Sequence, residues 1–141
     1  MSPLSIFVWT LVYGVLWNAL GWAGNNFLLE NGWDAVSGEL TPDFAPPWSA
    51  PTRELFTFVS DFVYAFAFVW LFAGASKQTV SGALKLVLVL WLAGAVVTYM
   101  ALVNSGFLPW PIAVQTSLLA LAVFLVTAPI LPLMKRQDAT R

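Results

Sequence analysis

The chain has 141 residues, 60% of them hydrophobic and 9% charged, with a mean hydropathy of +0.80 and a formal net charge of -1. Soluble domains carry roughly 25% charged residues, so six basic and seven acidic side chains cannot clothe a water-soluble globule, and they leave no basic footprint for nucleic acid. The absence of Cys and His excludes disulfides, thiolate chemistry, zinc sites, His-ligated haem or chlorophyll, and most general-base catalysis near neutral pH.

Lipid is the remaining solvent, and a hydrocarbon core about 30 Å thick is crossed by roughly 20 apolar residues of helix. The first such stretch is 4–24. It lacks a basic leader and an Ala-x-Ala site and holds Trp9, Trp17, Asn18 and Trp22, so it is expected to be a retained span and not a cleaved signal. Thr10, Gly14, Asn18, Gly21 and Asn25 recur at steps of three or four, which places small and polar residues on one stripe. Membrane helices approach and hydrogen-bond each other through such stripes.

The connection 25–54 is long for a bundle. Phe27, Leu28, Leu29, Trp33, Leu40, Phe44 and Trp48 make it too apolar for a solvated tail, and Pro42, Pro46, Pro47 and Pro51 stiffen its second half. A lid across the mouth of the bundle, with Trp33 and Trp48 at the interface, satisfies both facts.

The second span is 55–74, with Thr52 expected to cap its first amides. Phe56, Phe58, Phe62, Phe66, Phe68, Trp70 and Phe72 encircle it, so several of these rings must face lipid, a neighbouring subunit or a bound molecule. The third span is 83–103, with Asn104-Ser105-Gly106 as its stop. The fourth is 110–131, where Pro109 and Pro111 suit the first turn and Pro129 and Pro132 should kink or end the helix. The expected fold is therefore all-α: one domain over 1–141, a polytopic membrane protein built as a four-helix transmembrane bundle.

Lys77, Lys85, Lys135, Arg136 and Arg141 fall at one end of this bundle and Arg53 alone at the other. The positive-inside rule then puts both termini in the cytoplasm, and a bacterial inner membrane is the expected location.

Counted from the outer end of each span, Asn18, Asp61, Thr98 and Gln115 all lie about 8 to 9 Å deep at 1.5 Å per residue. They are expected to form one polar layer, with Thr57 and Tyr64 on the same face as Asp61. An unpaired charge there would cost several kcal/mol, so Asp61 should hold its proton or accept hydrogen bonds from Asn18, Gln115, Thr98 or a tyrosine. No second carboxylate, His, Cys or Lys shares the layer, so neither an acid/base pair nor an activated nucleophile is in view. No catalytic residue, metal site or cofactor is expected.

Two resemblances attach to the first span. Gly14-Val15-Leu16-Trp17, with Asn18 standing where the family has Tyr, is similar to the Gly-x-x-Trp-Tyr element of a family of small uncharacterised four-helix bacterial membrane proteins, whose layout most of the chain resembles. Trp9-Thr10-Leu11-Val12-Tyr13 resembles the Trp-Thr-x-x-Tyr element of the tryptophan-rich sensory (translocator) family, a five-helix family whose members bind porphyrins and sterols.

Short cytoplasmic segments, aromatic surfaces on more than one side and the absence of redox or metal ligands favour a non-enzymatic accessory or assembly subunit of a larger membrane complex, meeting the lipid bilayer and a membrane-protein partner or another copy of itself. The alternative is a binding or transport protein for a small apolar or cationic ligand at the Asp61 layer. Lipids, quinones, sterols and carotenoids need only apolar walls and are the neutral molecules such a bundle could hold.

Overall fold

The computed structural model describes residues 1–29, 49–76 and 78–133. Trp33 and Trp48 of the expected lid lie outside the described residues, as do Lys77, Lys135, Arg136 and Arg141. The described residues form helices and turns with no strand.

Helix α1 spans Pro3–Leu28. Ser2 caps it by accepting the Ser5 amide at 3.1 Å, and Pro3 occupies a position whose missing N–H costs nothing. The helix runs past its expected end at 24 because Asn26 does not stop it. The Asn26 amide folds back onto the Trp22 carbonyl at 2.8 Å.

Helix α2 spans Ala50–Gly74 and starts ahead of the expected residue 55. Ser49 takes the N-cap position and Thr52 lies inside the first turn, its hydroxyl 3.0 Å from that of Ser49, so Thr52 is not the cap. Pro51 explains the shift, since a proline in the first turn is preset for helix.

Helix α3 spans Val80–Asn104, with Thr79 accepting the Gly82 amide at 3.1 Å. Its middle, Trp91–Val96, is a π-helical turn. The stop falls where Asn104-Ser105-Gly106 put it. Gly106 adopts φ 75°, and the Gly106 and Phe107 amides donate back to the carbonyls of Val103 and Leu102 at 3.0 and 2.9 Å, a Schellman closure.

Helix α4 spans Trp110–Thr127, breaks at 128–129, and resumes over 130–133. Pro129, which has no N–H to donate, sits in the break.

All four helices are long and apolar enough to cross a membrane. Each packs on its chain neighbours, and α4 closes the ring on α1. Large apolar side chains point outward from every helix, among them Phe7, Val63, Val89 and Val126, giving a surface suited to hydrocarbon. Helix α2 carries outward Phe58, Phe66 and Trp70, the last two stacked, while Phe68 and Phe72 are buried. The rings of α2 therefore divide between core and exterior, as their encircling spacing requires.

The core sits in the half of the bundle that holds residue 3 and the break in α4, hereafter the terminus end; the opposite half is the loop end. Tyr13, Trp17, Phe68 and Phe124 form its aromatic centre, with ring centroids 5.0 Å apart for Tyr13 and Phe68 and 4.5 Å for Trp17 and Phe124. Two of these rings also repair α4. The Tyr13 hydroxyl donates to the Thr127 carbonyl at 3.0 Å and accepts the Leu131 amide at 3.0 Å, bridging a pair that a continuous helix would join directly. The Trp17 indole N–H donates to the Thr127 hydroxyl at 2.7 Å, which in turn donates to the Val123 carbonyl at 2.8 Å. The break thus leaves neither the Thr127 carbonyl nor the Leu131 amide stranded in a buried setting where each would be costly.

Candidate functional site

Toward the loop end the helices do not close. Helix α2 packs most closely on the first turns of α3, residues 80–90, and the π turn and later turns of α3 lean instead on α4. Between them lies a cleft of about 900 Å³ walled by all four helices. Trp17 and Phe124 belong both to this cleft and to the core, and so form its floor.

Helix α1 presents Asn18, Gly21, Trp22, Asn25 and Asn26 to the cleft, so the stripe inferred from sequence faces inward. Gly14, lower on that stripe, lets α2 approach: a Cβ there would overlap the Phe62 ring. Asn18 fastens the two helices above this contact. Its amide nitrogen donates to the Gly14 carbonyl of its own helix at 2.9 Å and to the Phe58 carbonyl of α2 at 3.2 Å.

Helix α2 supplies Thr57, Ser60, Asp61 and Tyr64. Asp61 is half-buried, and among the described residues it forms no hydrogen bond or ion pair. Helix α3 supplies Gly94, Ala95, Thr98 and Tyr99. The π turn brings Gly94 against Tyr64, whose hydroxyl occupies the space a Cβ would take. Single π turns of this kind recur at functional sites because the extra residue shifts the facing of everything beyond it. The Trp91 indole anchors the start of the turn, donating to the Ser117 carbonyl at 2.8 Å.

Helix α4 contributes Thr116, Leu119, Ala120, Val123 and Phe124. Gln115 is not among them; it is exposed on the opposite side of α4, where Leu118 and Val126 also face out. The structure therefore brings together Asn18, Asp61, Tyr64 and Thr98 and leaves Gln115 apart. Thr116 takes its place in the wall. Thr116 is 8% exposed, and its hydroxyl is buried without a partner, as is the Asn25 side-chain oxygen. Thr116, Asn25, Ser60 and Tyr99 are cleft residues outside the layer expected from depth alone.

Among the described residues the site has one carboxyl, no basic group and no sulfur or imidazole ligand, and no three His, Cys, Asp or Glu come together. Its chemical capacity is that of a polar-walled pocket with an aromatic floor. Comparison of the chain with protein-family models, with curated proteins and with solved structures gives no match.

Proposed function

We propose that the protein is an integral membrane binding protein, its four helices spanning the bilayer with both termini in the cytoplasm, and that the loop-end cleft receives a small molecule with an apolar body and a polar head. The observation that carries this reading is the cleft itself. Its volume of about 900 Å³ lies within the usual range for small-molecule sites, and it places Asp61, the one acid in the four spans, beside buried oxygens that lack partners. Of the three buried side-chain oxygens without partners among the described residues, those of Asn25 and Thr116 line the cleft and that of Thr10 lies outside it.

The accessory-subunit reading rests on outward aromatics, and an acid aimed at a partner helix would strengthen it. Lipid accounts for the aromatics, and Asp61 lines the cleft.

The test is extraction of the full chain in mild detergent, followed by native mass spectrometry of the wild type and of Ala120→Phe, which fills the cleft from α4. A small molecule bound in stoichiometric amount to the wild type and lost from a folded Ala120→Phe protein is the expected result. A second polypeptide in constant ratio, with no small molecule on either protein, would overturn the proposal in favour of an accessory subunit.

A further inference from the structure

The hydrogen-bond inventory of the cleft has a sign, and this second step rests on the ligand-cleft reading above. Backbone carbonyls only accept, so each side chain bonded to one has spent a donor. The amide nitrogen of Asn18 serves two carbonyls, those of Gly14 and Phe58, at 2.9 and 3.2 Å. That of Asn26 serves Trp22 at 2.8 Å, and the Ser60 hydroxyl donates to Thr57 at 2.7 Å. The oxygens of Asn18 and Asn26 are thereby left as acceptors. To these are added the buried, unpartnered oxygens of Asn25 and of Thr116, the latter a hydroxyl that can accept as well as donate, on a side chain more than nine-tenths buried in the wall. Asp61 completes the set, with no Lys or Arg among the described lining residues to balance it.

We infer that the head group taken up by the cleft is a protonated amine, seated on Asp61 with its N–H groups shared among the neighbouring oxygens and its apolar body against the rings of Trp17 and Phe124. A carboxylate or phosphate head would meet the charge of Asp61 and the lone pairs of the amide oxygens, with no basic partner among the described lining residues. A neutral alcohol brings one donor. An ammonium brings up to three donors and a charge, and its bonds to a carboxylate are charge-assisted in a setting of low dielectric. Tyr64 and Tyr99 line adjoining walls and bring two more hydroxyl oxygens that can accept from it. A bare metal ion fits poorly, since one carboxylate cannot supply its coordination shell.

Three probes of matched shape separate these heads: 2-phenylethylammonium, 2-phenylethanol and 3-phenylpropanoate. Their binding to the full chain in zwitterionic nanodiscs is measured by equilibrium dialysis for wild type, Asp61→Asn and Ala120→Phe, with unfolding midpoints confirming that the variants fold. The ammonium is expected to bind wild type on the order of tenfold or more tighter than the alcohol, the scale of a charge-assisted hydrogen bond. Asp61→Asn should bring it down to the level of the alcohol, and Ala120→Phe should release both. Binding of the carboxylate as tight as that of the ammonium, or ammonium binding unchanged by Asp61→Asn, overturns the inference. If the alcohol matches the ammonium and Ala120→Phe releases both, the amine assignment falls while the ligand cleft stands. If no probe binds and the wild type carries no small molecule, both fall.

Discussion

Tyr13→Phe removes one oxygen from the most tightly built part of the bundle and leaves the ring in place. Tyr13 is fully buried, and its hydroxyl holds two backbone groups on opposite sides of the α4 break, the Thr127 carbonyl and the Leu131 amide, each at 3.0 Å. Two hydrogen bonds at a net ~0.5–1.5 kcal/mol each set the scale, and side-chain bonds between membrane helices average about 0.6 kcal/mol, which pulls the sum toward the low end. Stranding a buried N–H and a buried C=O pulls it up again, because each unsatisfied group costs about 1–3 kcal/mol. Helix α4 could relieve the loss only by closing Leu131 directly onto Thr127, and the ring of Pro129 crowds the carbonyl of residue 125 and resists that closure. The expected cost is therefore about 1–3 kcal/mol. Reversible unfolding in mixed micelles, followed by far-UV circular dichroism, reads the stability, and amide exchange at Leu131 reports the broken bridge locally. A stability change below about 0.5 kcal/mol together with unchanged exchange at Leu131 would refute the account of how the break is repaired.

Thr127→Val should cost about 1–2 kcal/mol in the same unfolding assay, because it strands the Trp17 indole N–H while leaving the Thr127 carbonyl to Tyr13. Gly14→Ala should cost about 1–3 kcal/mol by driving a methyl into the Phe62 ring, whereas Gly21→Ala, with nothing within 4 Å of the new methyl, should be neutral or gain up to about 1 kcal/mol in unfolding free energy. Thr116→Val should leave stability unchanged or raise it by up to about 2 kcal/mol by removing an unpaired buried hydroxyl, while Gln115→Leu on the exposed face should change it by less than about 0.5 kcal/mol. A reporter fused after Arg141 should read cytoplasmic and one inserted at Gly38 should read external; the reverse pattern would overturn the orientation drawn from the basic residues.

The helices were legible because length and hydropathy act over whole segments, and single residues shift only their ends. Residue 24 failed as a stop for α1 since Asn25 and Asn26 remain helical, with Asn26 turning its amide back to its own helix. Gly106 succeeded for α3 because a left-handed φ is a property of one residue, and glycine alone takes it without strain. The π turn of α3 carries no such mark. Trp91-Leu92-Ala93-Gly94-Ala95-Val96 is ordinary helix-compatible sequence, and its extra residue is selected by contacts from other helices, the Trp91 bond to Ser117 and the seat of Tyr64 on Gly94. Nor do the residues flanking a proline say which side chain will bridge the break it makes. Tyr13 lies 118 residues before Leu131 in the chain, and only the ring closure of α4 on α1 brings them together.

The polar layer shows the same division more sharply. Counting residues from a helix end gives depth, and depth alone placed Asn18, Asp61, Thr98 and Gln115 at one level. Azimuth is a separate coordinate that advances about 100° with each residue, so a depth argument indifferent to a shift of one position turns a side chain through more than a quarter of a circle. In α1 and α2 the azimuth was readable because several small or polar residues repeat on one stripe: Gly14, Asn18, Gly21 and Asn25 in the first, Thr57, Asp61 and Tyr64 in the second. In α4 Gln115 has no polar companion on its face, where Leu118, Ala122 and Val126 follow at the same spacing and all are exposed. Thr116 begins the other face, which continues through Ala120, Val123 and Thr127 and holds the small and hydroxyl-bearing residues that let helices approach. The inward side of α4 was therefore written in residue size and repetition, and the most polar single side chain pointed away from it.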